Sequence, residues 1–223
     1  MNLQTYPDRE MMMIALADTI ASQLRRALEV EGRATLCVPG GTTPGPVFDI
    51  LSELDLDWAR VSVLLGDERW VPEDSPRSNT ALIRARLLRG RAAQAWHVPL
   101  YLPAPRPEDR LGEISAAVTR VLPLTVCLLG MGEDMHTASL FPGADRLAEA
   151  LSADAPPVMA LRAEAAGEPR LTLTAPVLRA AMHCHVLITG AQKRQAIERA
   201  ATLPEAEAPV RIVLPHATIH WAP

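Results

Sequence analysis

The segment Gly130-Met-Gly-Glu-Asp-Met-His-Thr-Ala-Ser-Leu-Phe-Pro-Gly143 places one histidine, His136, two residues after an acid, Asp134, and behind two glycines. Histidine titrates near neutral pH, so it suits taking a proton from water and returning it to a leaving group. Gly130 and Gly132 free the backbone to turn sharply after the apolar run Leu124-Thr-Val-Cys-Leu-Leu129, which sets Asp134 and His136 at the carboxyl end of a buried strand. Thr137, Ala138 and Ser139 suit the first turn of a helix or a 3₁₀ turn, whose N–H groups would stabilise a developing oxyanion. A lone histidine is more often structural; the glycines and the acid beside it point to chemistry.

Three further segments carry polar groups after apolar runs. Gly40-Gly-Thr-Thr-Pro-Gly45 precedes a helical pattern that begins with Pro44 and Pro46. The free N–H groups of Gly40, Gly41, Thr42 and Thr43, with two hydroxyls and the helix dipole, form a cradle suited to phosphate. A tight strand-to-helix turn would use the same glycines for geometry alone. The loop lacks the Lys-Ser/Thr of a nucleotide loop and the Gly-x-Gly-x-x-Gly of a dinucleotide fold, so ATP and NAD are not expected.

Gly66-Asp-Glu-Arg-Trp-Val-Pro72 sets Asp67, Glu68 and Arg69 directly after a buried strand, where charge costs desolvation energy unless it faces a solvent-filled crevice. There Arg69 would grip an oxyanion; the other reading is a solvated loop with an internal Asp–Arg pair. Asn79 reads as the cap of the helix running to Leu88. Arg170 opens an alternating strand and Lys193 enters a late helix, so both can project into one crevice, although either alone is also an ordinary surface cation. His183-Cys-His185 contains metal-ligand types, but Cys184 faces away from its neighbours on a strand, so the trio reads as structural. His97, His216 and His220 are isolated in the sequence and read as ordinary, partly buried residues.

These motifs need elements to hold them. Apolar residues at Met13, Ala17, Ile20, Leu24, Ala27 and Leu28 give a helix over Glu10 to Val30, closed by Gly32. Short apolar runs follow at 34–38, 61–65, 124–129 and 185–189, each leading to a loop and then a helical pattern, including Glu108 to Leu122 and Lys193 to Ala201. Almost wholly apolar strands alternating with helices predict an α/β fold of three layers, a mostly parallel sheet with helices on both faces. Ligands of such sheets bind beyond the carboxyl ends of the strands, and every polar motif here follows a strand.

The bulk numbers agree with one globular domain over residues 1–223, with 48% hydrophobic and 22% charged residues. The Pro-rich stretch from Leu102 to Asp109 suits an internal loop better than a domain boundary. A net charge of −4 gives no positive field for nucleic acid or an anionic membrane, so an anionic ligand must meet a local cluster. Cys37, Cys127 and Cys184 each lie in apolar runs and read as buried thiols of a reducing compartment. The apolar start, Met11 to Ala17, is broken by Asp18 and reads as neither signal peptide nor membrane span. A cytoplasmic location is expected.

Taken in order, Gly40-Gly-Thr-Thr-Pro44, Asp67-Glu-Arg-Trp-Val-Pro72 with Ser78-Asn79, the histidine segment, and Arg170-Leu-Thr-Leu-Thr174 with Gly190-x-x-Lys193 resemble the 6-phosphogluconolactonases. That is the lactone-hydrolysing branch of a superfamily that also holds glucosamine-6-phosphate deaminases and ribose-5-phosphate isomerases, and the resemblance spans nearly the whole chain. Deaminases continue the histidine motif as His-Ile-Ala-Phe-Asn-Glu-Pro, whereas Ser139-Leu-Phe-Pro142 stands here and fits the lactonase branch. One position departs from the family: Met135 replaces the glycine of Gly-x-Asp-Gly-His. Either Met135 adopts an ordinary φ, or His136 is placed differently; the methionine is also a candidate wall of the pocket.

The resemblance implies hydrolysis of 6-phospho-D-glucono-1,5-lactone in the oxidative pentose phosphate pathway, with His136 as base and then acid. Asp134 would orient it or hold sugar hydroxyls, with Arg69 beside them, and Gly40, Gly41, Thr42, Thr43, Asp67, Arg170 and Lys193 would bind substrate. No metal or organic cofactor is implied, no nucleic-acid or membrane partner, and a monomer or weak homodimer is expected. The alternatives are an amino-sugar-phosphate deaminase/isomerase and a catalytically silent sugar-phosphate sensor. Sensors of this type carry a helix-turn-helix segment, for which a chain whose first core strand begins at Ala34 leaves no room.

Overall fold

Asp8 starts the first long element. Its carboxylate accepts the N–H of Met11 at 2.8 Å, and the helix α1, Arg9–Glu31, runs until Gly32 ends it in the left-handed region at φ 74°. The face bearing Met12, Leu16, Ile20, Leu24 and Leu28 is buried, each such side chain contributing about 1.5–3 kcal/mol relative to exposure. In this computed structural model, which describes residues 1–223, α1 packs on α2 (Gly45–Glu53) and against the sheet strands β2 (Ala34–Val38), β6 (Val126–Gly130) and β10 (Thr218–Ala222).

The main sheet has seven strands, all parallel. With β1 (Asn2–Thr5), β3 (Val61–Leu65), β5 (Trp96–Val98) and β9 (His183–Thr189), its order is β1-β10-β9-β6-β2-β3-β5. The central strands are buried along their length, as the apolar runs require of a sheet covered by helices on both faces. The expected three-layer α/β fold is therefore the one observed. Cys37, Cys127 and Cys184 stand side by side across β2, β6 and β9, all buried and free. One continuous cluster of 67 buried apolar residues forms the core.

Two features depart from the sequence reading. The first strand is β1, ahead of α1, and not the one at Ala34; Asn2-Leu-Gln-Thr5 is a mostly exposed edge strand, so it lacks the apolar signature that marks the others. The second is a small antiparallel sheet, β4-β8-β7, built from β4 (Asp67–Arg69), β7 (Val158–Leu161) and β8 (Arg170–Leu173). β8 is buried throughout and does not alternate. The chain passes from β3 into β4 through Gly66, whose N–H donates to Val38 O and whose carbonyl accepts Leu173 N, both at 2.9 Å. The small sheet is thereby fixed over the carboxyl edge of the large one.

The elements after the strands follow closely: α3 is Asn79–Arg86, α4 is Leu111–Val121, and α7 is Ala191–Ala200. Two short helices, α5 (Leu147–Leu151) and α6 (Ala175–Arg179), flank β7 and β8. Residues 137–139 form no helical turn. They make an isolated bridge between Thr137 and Leu140, with Ala138 at φ 49°.

Candidate active site

β2 leads on to β3 on one side and β6 to β9 on the other, so the loops leaving these two neighbours diverge and open a crevice at the switch point of the sheet. A cavity of about 360 Å³ lies there. Gly40, Gly41 and Thr43 line it from the β2 loop, and Gly132, His136 and Phe141 from the β6 loop. The small sheet adds Asp67, Arg69 and Arg170, and α7 adds Lys193. The four motifs read from the sequence therefore meet at one place. Thr42 is the exception: it borders a neighbouring cleft with Arg9 and Ile50, because the turn at Gly41 aims successive residues to different sides.

His136 is held by its predecessor in the motif. Asp134 Oδ1 lies 2.5 Å from His136 Nδ1 and 3.2 Å from its backbone N. A carboxylate only accepts, so Nδ1 carries the proton, leaving Nε2 a free acceptor with no partner in the protein. Burial raises the Asp134 carboxyl, but the hydrogen bond and charge of His136 outweigh it and the group sits below its ordinary value. Asp134 does not line the cavity; it stands behind the imidazole. Gly132 makes this approach possible, since a Cβ there would overlap both the His136 ring and the Asp134 carboxylate.

Met135 has φ 65°, so the ordinary-φ alternative is overturned. Its N–H donates to Gly132 O and its carbonyl accepts Val210 N, both at 3.0 Å, which pins the strained residue from two sides. The side chain is buried in the core and does not wall the cavity; Met131 does. The N–H of Ser139 is engaged by Thr172 Oγ1 at 3.2 Å and is unavailable as an oxyanion donor, whereas that of Ala138 has no partner.

Of the acidic residues after β3, Asp67 reaches the cavity wall and Glu68 does not. Asp67 is buried, accepting Ser139 Oγ at 2.6 Å with Arg170 Nη1 at 3.7 Å. Glu68 is wholly buried on the other side of β4. Its two oxygens accept the N–H groups of Arg69, Asn79 and Thr80 and the Thr80 hydroxyl at 2.7–2.8 Å, with Ser78 Oγ at 3.3 Å. Burial pushes its carboxyl upward and these donors oppose the rise. The desolvation cost expected at the sequence level is met by hydrogen bonds instead of by water.

Asn79 is not the cap of α3. Ser78 is, accepting Ala81 N at 3.2 Å, while Asn79 is buried at the first helical position. Its amide donates to Asp67 O at 3.0 Å and its oxygen lies 3.4 Å from Arg69 Nη1. A Cβ on Gly40 would overlap this amide, so Asn79 fixes the cradle loop and lines the cavity with it. Sequence reasoning missed this role, together with those of Ser139 and Thr172; the Ser78-Asn79 pair within the motif was the available signal.

The cations sit where a local cluster was expected. Arg69 donates to Arg77 O at 2.6 Å, and Lys193 Nζ reaches across to Met131 O at 2.5 Å. Desolvation lowers the Arg170 pKa, with Asp67 opposing it. His220 is not isolated: Tyr6 Oη, the imidazoles of His220 and His185, and Gln23 form one hydrogen-bonded chain with steps of 2.8, 3.0 and 2.9 Å. Cys184, between His183 and His185 in β9, is buried beside Cys127 of β6.

Known proteins resemble this chain in sequence and fold. A 6-phosphogluconolactonase of Mesorhizobium japonicum is 43% identical, covering 100% of this chain and 95% of the relative. One from Rhizobium meliloti is 42% identical, covering 100% and 99%. The crystal structure of a 6-phosphogluconolactonase from Shewanella baltica superposes with a TM-score of 0.96 at 31% identity, covering 100% of this chain and 97% of that one. Residues 7–221 match the family described as Glucosamine-6-phosphate isomerases/6-phosphogluconolactonase, and the chain belongs to that family.

Proposed function

We propose that this protein hydrolyses 6-phospho-D-glucono-1,5-lactone to 6-phospho-D-gluconate, a step of the oxidative pentose phosphate pathway. The observation that carries this reading is the unpartnered Nε2 of His136, held in the basic tautomer by Asp134, in a cavity that also presents Arg69, Arg170 and Lys193. The relatives at 42–43% identity favour the hydrolase over a deaminase or isomerase.

A δ-lactone is an activated ester. His136 Nε2 takes a proton from water as the water oxygen attacks the carbonyl carbon, giving a tetrahedral oxyanion. The carbonyl re-forms, the bond from C1 to the ring oxygen breaks, and His136 returns the proton to that oxygen. Asp134 holds the imidazole and balances its transient charge. Arg69 and the Ala138 N–H are placed to receive the oxyanion or the sugar hydroxyls. Gly40, Gly41 and Thr43 offer N–H groups to the 6-phosphate, and Lys193 and Arg170 supply its counter-charge. Asp67, tied to Ser139 and Arg170, sets the cation beside it. This chemistry calls for no metal or organic cofactor.

We further read residues 1–223 as one such domain, on the strength of its single core cluster. The partner is a small sugar-phosphate lactone, and the protein acts in the cytoplasm as a monomer or weak homodimer. No helix is long and apolar enough to cross a membrane, and a net charge of −4 disfavours nucleic acid.

The test is lactone hydrolysis above the spontaneous rate, with wild type beside His136→Ala and Lys193→Ala. His136→Ala should abolish turnover, and Lys193→Ala should raise KM with a smaller change in kcat. Wild type no faster than background would remove the function; unchanged turnover in His136→Ala would remove the mechanism.

A further inference from the structure

Phe141 lies between two groups that the proposed reaction uses. Its ring centroid is 4.1 Å from that of His136, with the planes 32° apart, and Arg170 Cζ stands 5.7 Å from the same centroid. The guanidinium stands within the reach of the ring's negative face, and the imidazole packs directly against the ring in a tilted arrangement. Aromatic residues make up only 4% of the chain, and Phe141 is one of two phenylalanines, so a ring at this point is not the by-product of an aromatic-rich core.

Each neighbour lacks something the ring supplies. Arg170 is nearly buried, with Nη2 donating to Ala166 O at 3.0 Å and Nη1 3.7 Å from Asp67, but its Nε has no partner. A buried guanidinium so incompletely matched needs another source of negative potential, and the face of a benzene ring is one. For His136, the bond from Nδ1 to Asp134 fixes one ring atom and leaves the plane free to swing. Packing against Phe141 fixes the plane, and with it the direction in which Nε2 points.

We infer that Phe141 is a positioning residue, whose ring holds the imidazole of His136 and the guanidinium of Arg170 in their working orientations at the cavity wall. The inference rests on the function proposed above. An apolar side chain of similar size would fill the space without performing either task.

The test replaces Phe141 with phenylalanines carrying one, two and three ring fluorines, which preserve shape while draining the face of negative potential, and separately makes Phe141→Leu. Across the fluorinated series KM for 6-phosphogluconolactone should rise stepwise, to roughly threefold to tenfold, with a smaller change in kcat. Phe141→Leu should also lower kcat about tenfold as the imidazole loses its packing face. A flat KM across the series, or wild-type kcat in Phe141→Leu, overturns the proposal. The His136 Hε1 resonance reports the contact without turnover: it should lose its ring-current shift in Phe141→Leu, and an unmoved resonance overturns the inference even if the wild type fails to hydrolyse the lactone. Failure of wild-type turnover alone removes the function and leaves this measurement to decide the contact.

Discussion

Asp134 and His136 are two residues apart and bonded twice, through the side chain at 2.5 Å and the backbone at 3.2 Å, so one carboxylate oxygen anchors Nδ1 and sets the tautomer of the imidazole. The geometry needs no long-range contact, because the turn after β6 supplies it locally and Gly132 leaves room for it.

Asp134→Asn is therefore expected to act on turnover more than on binding. An amide can donate to Nδ1, which moves the ring proton to Nε2 and leaves no base facing the cavity. By analogy with the buried aspartate of the serine-protease triad, kcat should fall by about 10² to 10⁴ with KM nearly unchanged. A variant with wild-type kcat would show that Asp134 does not set the tautomer.

Glu68→Gln tests how the small sheet holds the site. Five donors converge on the two oxygens of Glu68, and an amide nitrogen in place of one oxygen would face donors with a donor. The expected loss is about 3 kcal/mol in chemical denaturation, from a broken buried network. Asn79 and Arg69 are attached to the same carboxylate, so KM should rise too. A loss below about 1 kcal/mol would mean that β4 and α3 are held by other contacts.

The contrast between Glu68 and Asp134 shows what was legible in the sequence. Strands such as Ala34–Val38 and Val61–Leu65 announce themselves because both faces are covered and every residue must be apolar. Asp134 and His136 were legible because their contact is local. Glu68, Asn79 and Ser139 were not, since each finds its partner beyond its own turn: Ser139 meets Asp67 across 72 residues and Glu68 meets Asn79 across 11. Charge directly after a buried strand reads as crevice-facing by default, which holds for Asp67, whereas only the docking of the start of α3 on β4 reveals that Glu68 is satisfied inside. The polar edge strand β1 was invisible for the opposite reason, having no buried face to pattern.

Met135→Gly sets strain against burial. Removing the side chain relieves a positive φ worth about 1–2 kcal/mol. It also deletes a buried methionine, which costs about 2–5 kcal/mol, and loosens the unfolded chain by about 0.5–1 kcal/mol. Burial wins, and the variant should be about 2 kcal/mol less stable by urea denaturation. Because the side chain lies outside the cavity, kcat and KM should stay near wild type. A more stable variant would reverse this ranking of terms.

Acid should destabilise this protein from above the carboxylate range, through histidines that do not line the cavity. Burial pushes His185 down to about 3, with the charges of His220 and His183 adding to it, and burial pushes His220 down to about 4; the pair fastens β9 and β10 to Gln23 of α1 and to Tyr6 just past β1. His97, in β5, is likewise pushed to about 4, mainly by burial. A histidine with a depressed folded pKa binds its proton more readily in the unfolded chain, so its contribution is intact above the ordinary value of 6.5 and is lost as pH falls from there toward its folded pKa. Each such ring adds up to about 1.4 kcal/mol per pH unit to the slope within that window. Melting temperature should therefore fall steeply between pH 6.5 and about 4.5, and calorimetry at pH 5 in buffers of different ionisation enthalpy should find close to three protons taken up on unfolding from these rings. Uptake below about one proton would mean that these histidines are already charged in the folded state, and that the Tyr6–His220–His185–Gln23 chain is not the neutral relay its geometry requires.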